Sequence, residues 1–338
     1  MKQITITKAG GPHVLQLQEK PTPPPAVGEL QIEVRAAGIN FADILARKGM
    51  YPDAPKIPCV VGYEVSGVVA AVGDGVETSW IGKPVLALTR FGGYADVVNT
   101  PAKQVFEKPD ELTFEQAAAV PVVYLTAWQL LVVMGALQSG ETVLVHNAGG
   151  GVGLAALDII KHFGGTALGT ASAGKHDFLR ERGYDHLIDY RSKDWFAEVM
   201  HHTNNRGVEL IIDAIGGDNW KKSYKALRHT GRLGMFGVSS ATAGSGGKIP
   251  GFLKLLLSMP LFNPISLMNL NRGVFGVNIG RLWHEQDKVF DWFSAVLNGV
   301  KEGWIRPHVD RLFSFEEAAG AHQYIEERRN IGKVILQP

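Results

Sequence analysis

Between Val143 and Leu154 the chain reads Val-Leu-Val-His-Asn-Ala-Gly-Gly-Gly-Val-Gly-Leu, the stretch whose residue types and spacing speak most directly of chemistry. Consecutive glycines let a backbone come close to phosphate groups, and a helix starting behind them offers unpaired N–H groups and the positive end of its dipole. The string G-x-G-x-x-G is nearly met, with Ala148 in the first place and Gly150 and Gly153 in the other two. A dinucleotide pyrophosphate is therefore expected against Asn147, Gly149, Gly150, Gly151, Val152 and Gly153. The competing reading is a glycine loop with no ligand. Against it stand the flanks: a β-branched, leucine-rich run before the glycines, and Val152, Ala156, Ile159 and Phe163 spaced along one helical face after them.

In such sites an acidic residue about 20 positions past the glycines receives the adenosine ribose of NAD. Here that stretch is Thr170-Ala171-Ser172-Ala173-Gly174-Lys175-His176, with no carboxylate before Asp177. Ser172 and Lys175 can donate to a 2′-phosphate instead, Lys175 adding charge, and Tyr190 is placed to close the same pocket. NADPH is favoured over NADH. The alternative for Lys175 is a solvated lysine at a helix start.

The elements that must position these groups fall into two patterns. Up to about Thr100 short alternating runs such as Leu30–Val34, Val65–Val72, Lys83–Leu88 and Tyr94–Val98 suggest a small barrel or sandwich, with a helix from Asn40 to Lys48. From about Glu115 strands alternate with helices: Val143–His146, Ala167–Thr170, His186–Asp189, Val208–Asp213, Arg232–Phe236 and Val274–Asn278. That order predicts an α/β fold with a doubly wound parallel sheet. The tail ending in Lys333–Leu336 is expected to return to the first domain, giving domains of 1–122 with 279–338 and of 123–278. A length of 338 residues, 45% apolar and 20% charged, suits a soluble two-domain protein. The net charge of +1 gives no footprint for nucleic acid. Cys59 is the only cysteine, and the apolar window Ala117–Met134 is interrupted by Pro121, Thr126 and Gln129, so a cytoplasmic enzyme with no membrane contact is expected.

The segments Gly38–Asp43, Gly62–Gly67, His146–Leu154, Gly169–His176, Ile188–Tyr190 and Gly332–Val334 resemble those of the medium-chain dehydrogenase/reductases. Within them the chain is similar to the zinc-free quinone oxidoreductases, above all the branch holding the vesicle amine transport protein homologues. The resemblance implies a GroES-like β-rich catalytic domain, a Rossmann domain, NADPH and a homodimer. It also implies where zinc enzymes of the superfamily keep cysteine and histidine: here those positions are Asn40 and Tyr63, an amide and a phenol, poor ligands for zinc. No metal site is expected.

By position in the resemblance, Asn40 and Tyr51 are candidate donors to a substrate. The alternatives are that Asn40 caps the helix after it and that Tyr51 packs in a loop. Tyr63 is expected to fill the volume a metal would take. Thr126, Phe236, Gly237, Phe275, Asn278 and Lys333 are expected near the cofactor, with helix self-bonding the alternative for Thr126 and core packing that for Phe236 and Phe275. Hydride delivered to a quinone or enone spreads its charge over a conjugated system, so hydrogen bonds suffice where a simple ketone needs a Lewis acid. The expected function is NADPH-dependent reduction of a small-molecule quinone or enone. A cofactor-binding association protein and a zinc alcohol dehydrogenase are the alternatives. The apolar stretch within 241–271 is expected to serve as a lid or interface rather than to meet a membrane.

Overall fold

The computed structural model describes residues 1–242 and 258–338, and the stretch 243–257, with most of the expected lid, lies outside the described residues. The chain forms two units, Met1–Leu125 with Ile279–Pro338, and Thr126–Asn278.

The second unit carries a six-stranded sheet in the order His186–Asp189, Thr166–Ala171, Thr142–His146, Val208–Asp213, Leu227–Met235 and Gly273–Gly276, every pairing parallel. Its middle strands read as unbroken apolar runs because helices cover both faces, and Val143, Leu144, Val145, Ile211 and Ile212 are fully buried. This is the doubly wound α/β sheet of the Rossmann type. One strand is longer than its pattern suggests. Val208 pairs with Leu227 and Leu210 with Arg232, so Arg228–Gly231 bulges out, with Thr230 at φ +68°. Those polar residues hide the start of the strand from hydropathy.

The first unit holds a seven-stranded sheet ordered Val309–Ser314, Lys333–Gln337, Glu29–Gly38, Glu64–Val72, Pro84–Leu88 and Val105–Glu107, with Val97–Pro101 also paired to Glu29–Gly38. All pairings are antiparallel but that of the last two strands in sequence, and Lys333–Gln337 joins Glu29–Gly38 through Ile335 and Leu336. Ile4, Ile6, Leu30, Ile32, Val65, Val85 and Tyr94 fill its core. Tyr94 precedes its strand rather than opening it, because it is drawn inward by a polar partner described below. The apolar run Phe114–Val133 is long and apolar enough to cross a membrane by length and composition, and 72% of its most apolar window is buried in the protein.

Candidate active site

In the Rossmann-type unit, strand Thr142–His146 ends at Asn147, whose φ of +58° turns the chain into the glycines, and the helix Gly151–His162 starts with Gly150 as its N-cap. The lack of side chains is a requirement of space. A β-carbon on Gly153 would stand 2.4 Å from the Ala148 carbonyl oxygen, so only glycine lets this helix sit so close to its strand. Tyr184 fixes the same turn by donating from its hydroxyl to the Gly153 carbonyl at 2.9 Å. The first intrahelical bond of this twelve-residue helix runs from the Leu154 N–H to the Gly150 carbonyl, so the N–H groups of Gly151, Val152 and Gly153 precede the helix ladder, as an anion site requires. The Lys175 stem passes 2.9 Å from where a β-carbon on Gly149 would be, and Ser172 stands just before the short turn Ala173–Lys175 after strand Thr166–Ala171, its side chain making no capping bond. Of the donors expected to meet a 2′-phosphate, Lys175 thus lies beside the glycines, and Ser172–His176 hold no carboxylate. The residues present fit a phosphorylated dinucleotide.

A second set of polar groups is buried in the first unit. Glu64 is fully buried, and its Oε1 accepts from Asn40 Nδ2 at 2.8 Å and from the Lys333 ammonium, while Oε2 accepts from the Val122 N–H at 2.8 Å. Lys333 also donates to the Ile39 carbonyl at 2.8 Å and to Asn40 Oδ1 at 3.0 Å. Asp43, also fully buried, accepts from the Asn40 and Gly62 N–H groups and, at 3.2 Å, from the Tyr94 hydroxyl. Burial lifts the Asp43 carboxyl to about 6 in spite of those donors. Since Tyr94 spends its proton on Asp43, the contact of 3.1 Å with His322 requires His322 Nε2–H to donate to Tyr94. His322 is held down to about 3 by burial first and the Arg47 guanidinium second, so it is neutral.

Comparison with known proteins follows the same lines. The alcohol dehydrogenase GroES-like domain family matches residues 26–110, and the zinc-binding dehydrogenase family matches residues 182–336. The synaptic vesicle membrane protein VAT-1 homolog of Homo sapiens is 36% identical over 341 residues, covering 100% of this chain and 86% of that protein. The chain belongs to the medium-chain dehydrogenase/reductase family. Another member, the quinone oxidoreductase of Homo sapiens, is 30% identical over 99% of this chain and 97% of its own length. The crystal structure of Escherichia coli quinone oxidoreductase complexed with NADPH superposes with a TM-score of 0.87 at 29% identity, covering 100% of both chains.

Against this family background the donor set around Tyr63 does not fit zinc. Asn40 offers an amide that is already bonded on both sides, Tyr63 a phenol raised far above its ordinary pKa by burial, and Glu64 a carboxylate committed to Lys333. Among the described residues no three His, Cys, Asp or Glu side chains gather into a metal-binding group.

Two sequence expectations change here. Lys333 is not available to a cofactor, because an ammonium has three donors and all three are spent inside the first unit on Ile39, Asn40 and Glu64. Asn40 is not a free donor either; its amide holds Glu64 and Lys333 together, which makes it a positioning residue. Tyr51 is half-buried against the first core, its ring edge-on to Tyr63 with centroids 6.3 Å apart, and burial raises its phenol pKa. Thr126 is buried near the start of the second unit. Tyr190 packs on the core of that unit. Phe236 and Gly237 follow strand Leu227–Met235, and a β-carbon on Gly237 would lie 3.0 Å from the Ala214 carbonyl oxygen. Phe275 covers Gly234 of the neighbouring strand, and exposed Asn278 ends the unit. Sequence reasoning passed over Glu64, Tyr94 and His322. A signal was present for the first: a lone carboxylate among Val60, Val61, Tyr63 and Val65 in an apolar run.

Proposed function

We propose that this protein reduces quinones and other conjugated carbonyls with NADPH, by hydride transfer that uses no zinc. The observation that carries the reading is the end of the second Rossmann strand: Ser172 and Lys175 stand where NAD sites keep a carboxylate, and Lys175 lies against Gly149 of the phosphate turn. The NADPH complex of the E. coli relative supports the same choice. The turn and the helix N-terminus hold the pyrophosphate, and Ser172 with Lys175 holds the 2′-phosphate. Bound there, the cofactor supplies the hydride. A conjugated acceptor disperses the charge it receives, which suits a site built of hydrogen-bond donors rather than a Lewis acid.

The test is NADPH oxidation followed at 340 nm with 1,4-benzoquinone and 9,10-phenanthrenequinone, in parallel with NADH. Turnover with NADPH at a kcat/KM at least about tenfold above that with NADH is expected, since a charge-assisted contact is worth about 1.5–3 kcal/mol. Absence of turnover with every quinone and enone offered would refute it. The 36% identity to a synaptic vesicle membrane protein homolog favours a second reading, a cofactor-binding association protein. Saturable NADPH binding without any turnover is its mark.

A further inference from the structure

Polar side chains lie buried at the carboxyl ends of three adjacent strands of the Rossmann-type sheet: Thr170 in Thr166–Ala171, His146 in Thr142–His146 and Asp213 in Val208–Asp213. Ser223, on the helix Asp218–Ala226, joins them, and none of the four is more than 3% exposed. Ser223 donates its hydroxyl to Asp213 Oδ2 at 2.7 Å. A hydroxyl has one proton, so the 3.1 Å contact between Ser223 Oγ and His146 Nε2 requires His146 to donate there. The imidazole is neutral, because burial holds its pKa below the ordinary range although Asp213 pulls the other way. Its Nδ1 is then bare and accepts from the Thr170 hydroxyl at 3.0 Å. Asp213 also accepts from Asn219 Nδ2 and from the Ile215 N–H, both at 2.7 Å, and Trp195 meets the imidazole edge-on with centroids 4.6 Å apart.

At this depth none of the four touches a ligand. Apolar side chains of the same shape would hold the sheet with little loss of stability. What the hydrogen bonds add is a fixed distance between strand ends. Each of two such ends runs straight into a turn described above. His146 precedes Asn147 and the glycines, and Thr170 stands two residues before Ser172 and five before Lys175. The Ala148 N–H donates to the Thr170 carbonyl at 3.0 Å, so the same two ends are joined through the backbone as well.

We infer that His146 is a positioning residue for the phosphorylated cofactor. Tied to Thr170 on one side and to Ser223 and Asp213 on the other, it fixes the spacing between the glycine turn that receives the pyrophosphate and the Ser172–Lys175 stretch that receives the 2′-phosphate. That spacing sets the preference for NADPH over NADH. The inference rests on the cofactor reading above and names the residues that tune it. NADH engages the first of the two places only, so a change in their spacing falls on NADPH. Replacing the 3.0 Å hydrogen bond by an apolar contact at about 3.5–4.0 Å moves the partners apart by about 0.5–1 Å. Binding groups must be held to within about 0.5 Å, so the displacement is large enough to be felt.

The experiment measures dissociation constants for NADPH and NADH by fluorescence titration in the wild type, Thr170→Val, Thr170→Ser and the double variant His146→Leu with Thr170→Val. In Thr170→Val the affinity ratio of NADPH to NADH is expected to fall about tenfold, the lower end of what a lost charge-assisted contact costs, with NADH within about twofold of wild type. Thr170→Ser keeps the hydroxyl and should restore the ratio to within about twofold. The double variant removes both partners of the bond and leaves Ser223 donating to Asp213, so it keeps its fold, read by melting temperature, and shows the same loss of preference. A network that only stabilises the sheet would leave the preference of a folded variant unchanged, and that result in Thr170→Val overturns the inference. Equal losses of NADPH and NADH overturn it too, since they mark support of the glycine turn alone. Nitrogen-15 NMR should find the His146 proton on Nε2; a proton on Nδ1 would reverse the chain of donors and sink the argument built on it. A wild type that binds NADH as tightly as NADPH overturns the cofactor reading, and the inference with it.

Discussion

Replacing Glu64 with glutamine tests whether the buried network of the first unit is as tightly specified as its contacts imply. Glutamine keeps the volume and removes the charge. One carboxylate oxygen receives Asn40 Nδ2 and the Lys333 ammonium, the other the Val122 N–H, so every neighbour of Glu64 is a donor. Whichever way the new amide turns, its own NH2 meets donors on one side, and Lys333 is left buried without the carboxylate it is paired with, Asp43 acting on it only at longer range. Breaking a buried ion pair from one side costs about 3–5 kcal/mol. For a unit of this size, at about 2–4 °C per kcal/mol, the melting temperature should fall by about 6–20 °C. Scanning calorimetry reads this directly, and two further variants sharpen it. Lys333→Met alone strands the carboxylate, while Glu64→Leu with Lys333→Met removes both charges and should recover at least half of the loss. A fall of less than about 2 °C in Glu64→Gln would show that water or rearrangement satisfies Lys333, and the reasoning would be wrong.

Lys175→Ala should raise KM for NADPH by about 10- to 150-fold and leave kcat/KM for NADH within about twofold, because only the phosphorylated cofactor loses a charge-assisted contact; steady-state kinetics with both cofactors check this, and equal effects on the two would refute it. His322→Gln should flatten the pH dependence of stability. The native value of about 3 lies below the ordinary 6.5, so the stability His322 contributes is fully present above pH 6.5 and is lost as the pH falls toward 3, by up to about 1.4 kcal/mol per pH unit. Asp43, raised to about 6, runs the other way: its contribution is present below its ordinary 3.8 and lost as the pH rises through 6. Melting temperatures of both proteins between pH 4 and 7 check the difference, and superimposable profiles would count against a neutral buried histidine.

The Rossmann-type unit was legible because its signals are local. Val208–Ile212 is apolar enough to be covered on both faces, and the turn after His146 needs glycine at Gly153 for a reason of distance that sequence spacing alone encodes. The polar network was not legible, because its members are far apart in the chain. Glu64 and Lys333 are separated by 269 positions and Tyr94 and His322 by 228. Nothing near Lys333 in sequence says that its charge is consumed indoors rather than offered to a phosphate. Asn40 shows the same limit: its place at a helix start suited a cap, and it does stand as the N-cap of the helix Phe41–Arg47, but only the positions of Glu64 and Lys333 reveal that its amide also bonds both of them.

The pairing of Lys333–Gln337 with Glu29–Gly38 has a consequence for how the protein is made. A ribosome adding about 5–20 residues per second needs roughly 15–55 s to travel from Glu64 to Lys333. Throughout that interval the nascent first unit holds a carboxylate without its cation and a sheet without its inner neighbour, while the intervening Rossmann-type unit has every strand it needs as soon as Gly276 has been added. Synthesis therefore completes the inserted unit first, and the amino-terminal half waits for the carboxyl-terminal residues to emerge before it can close.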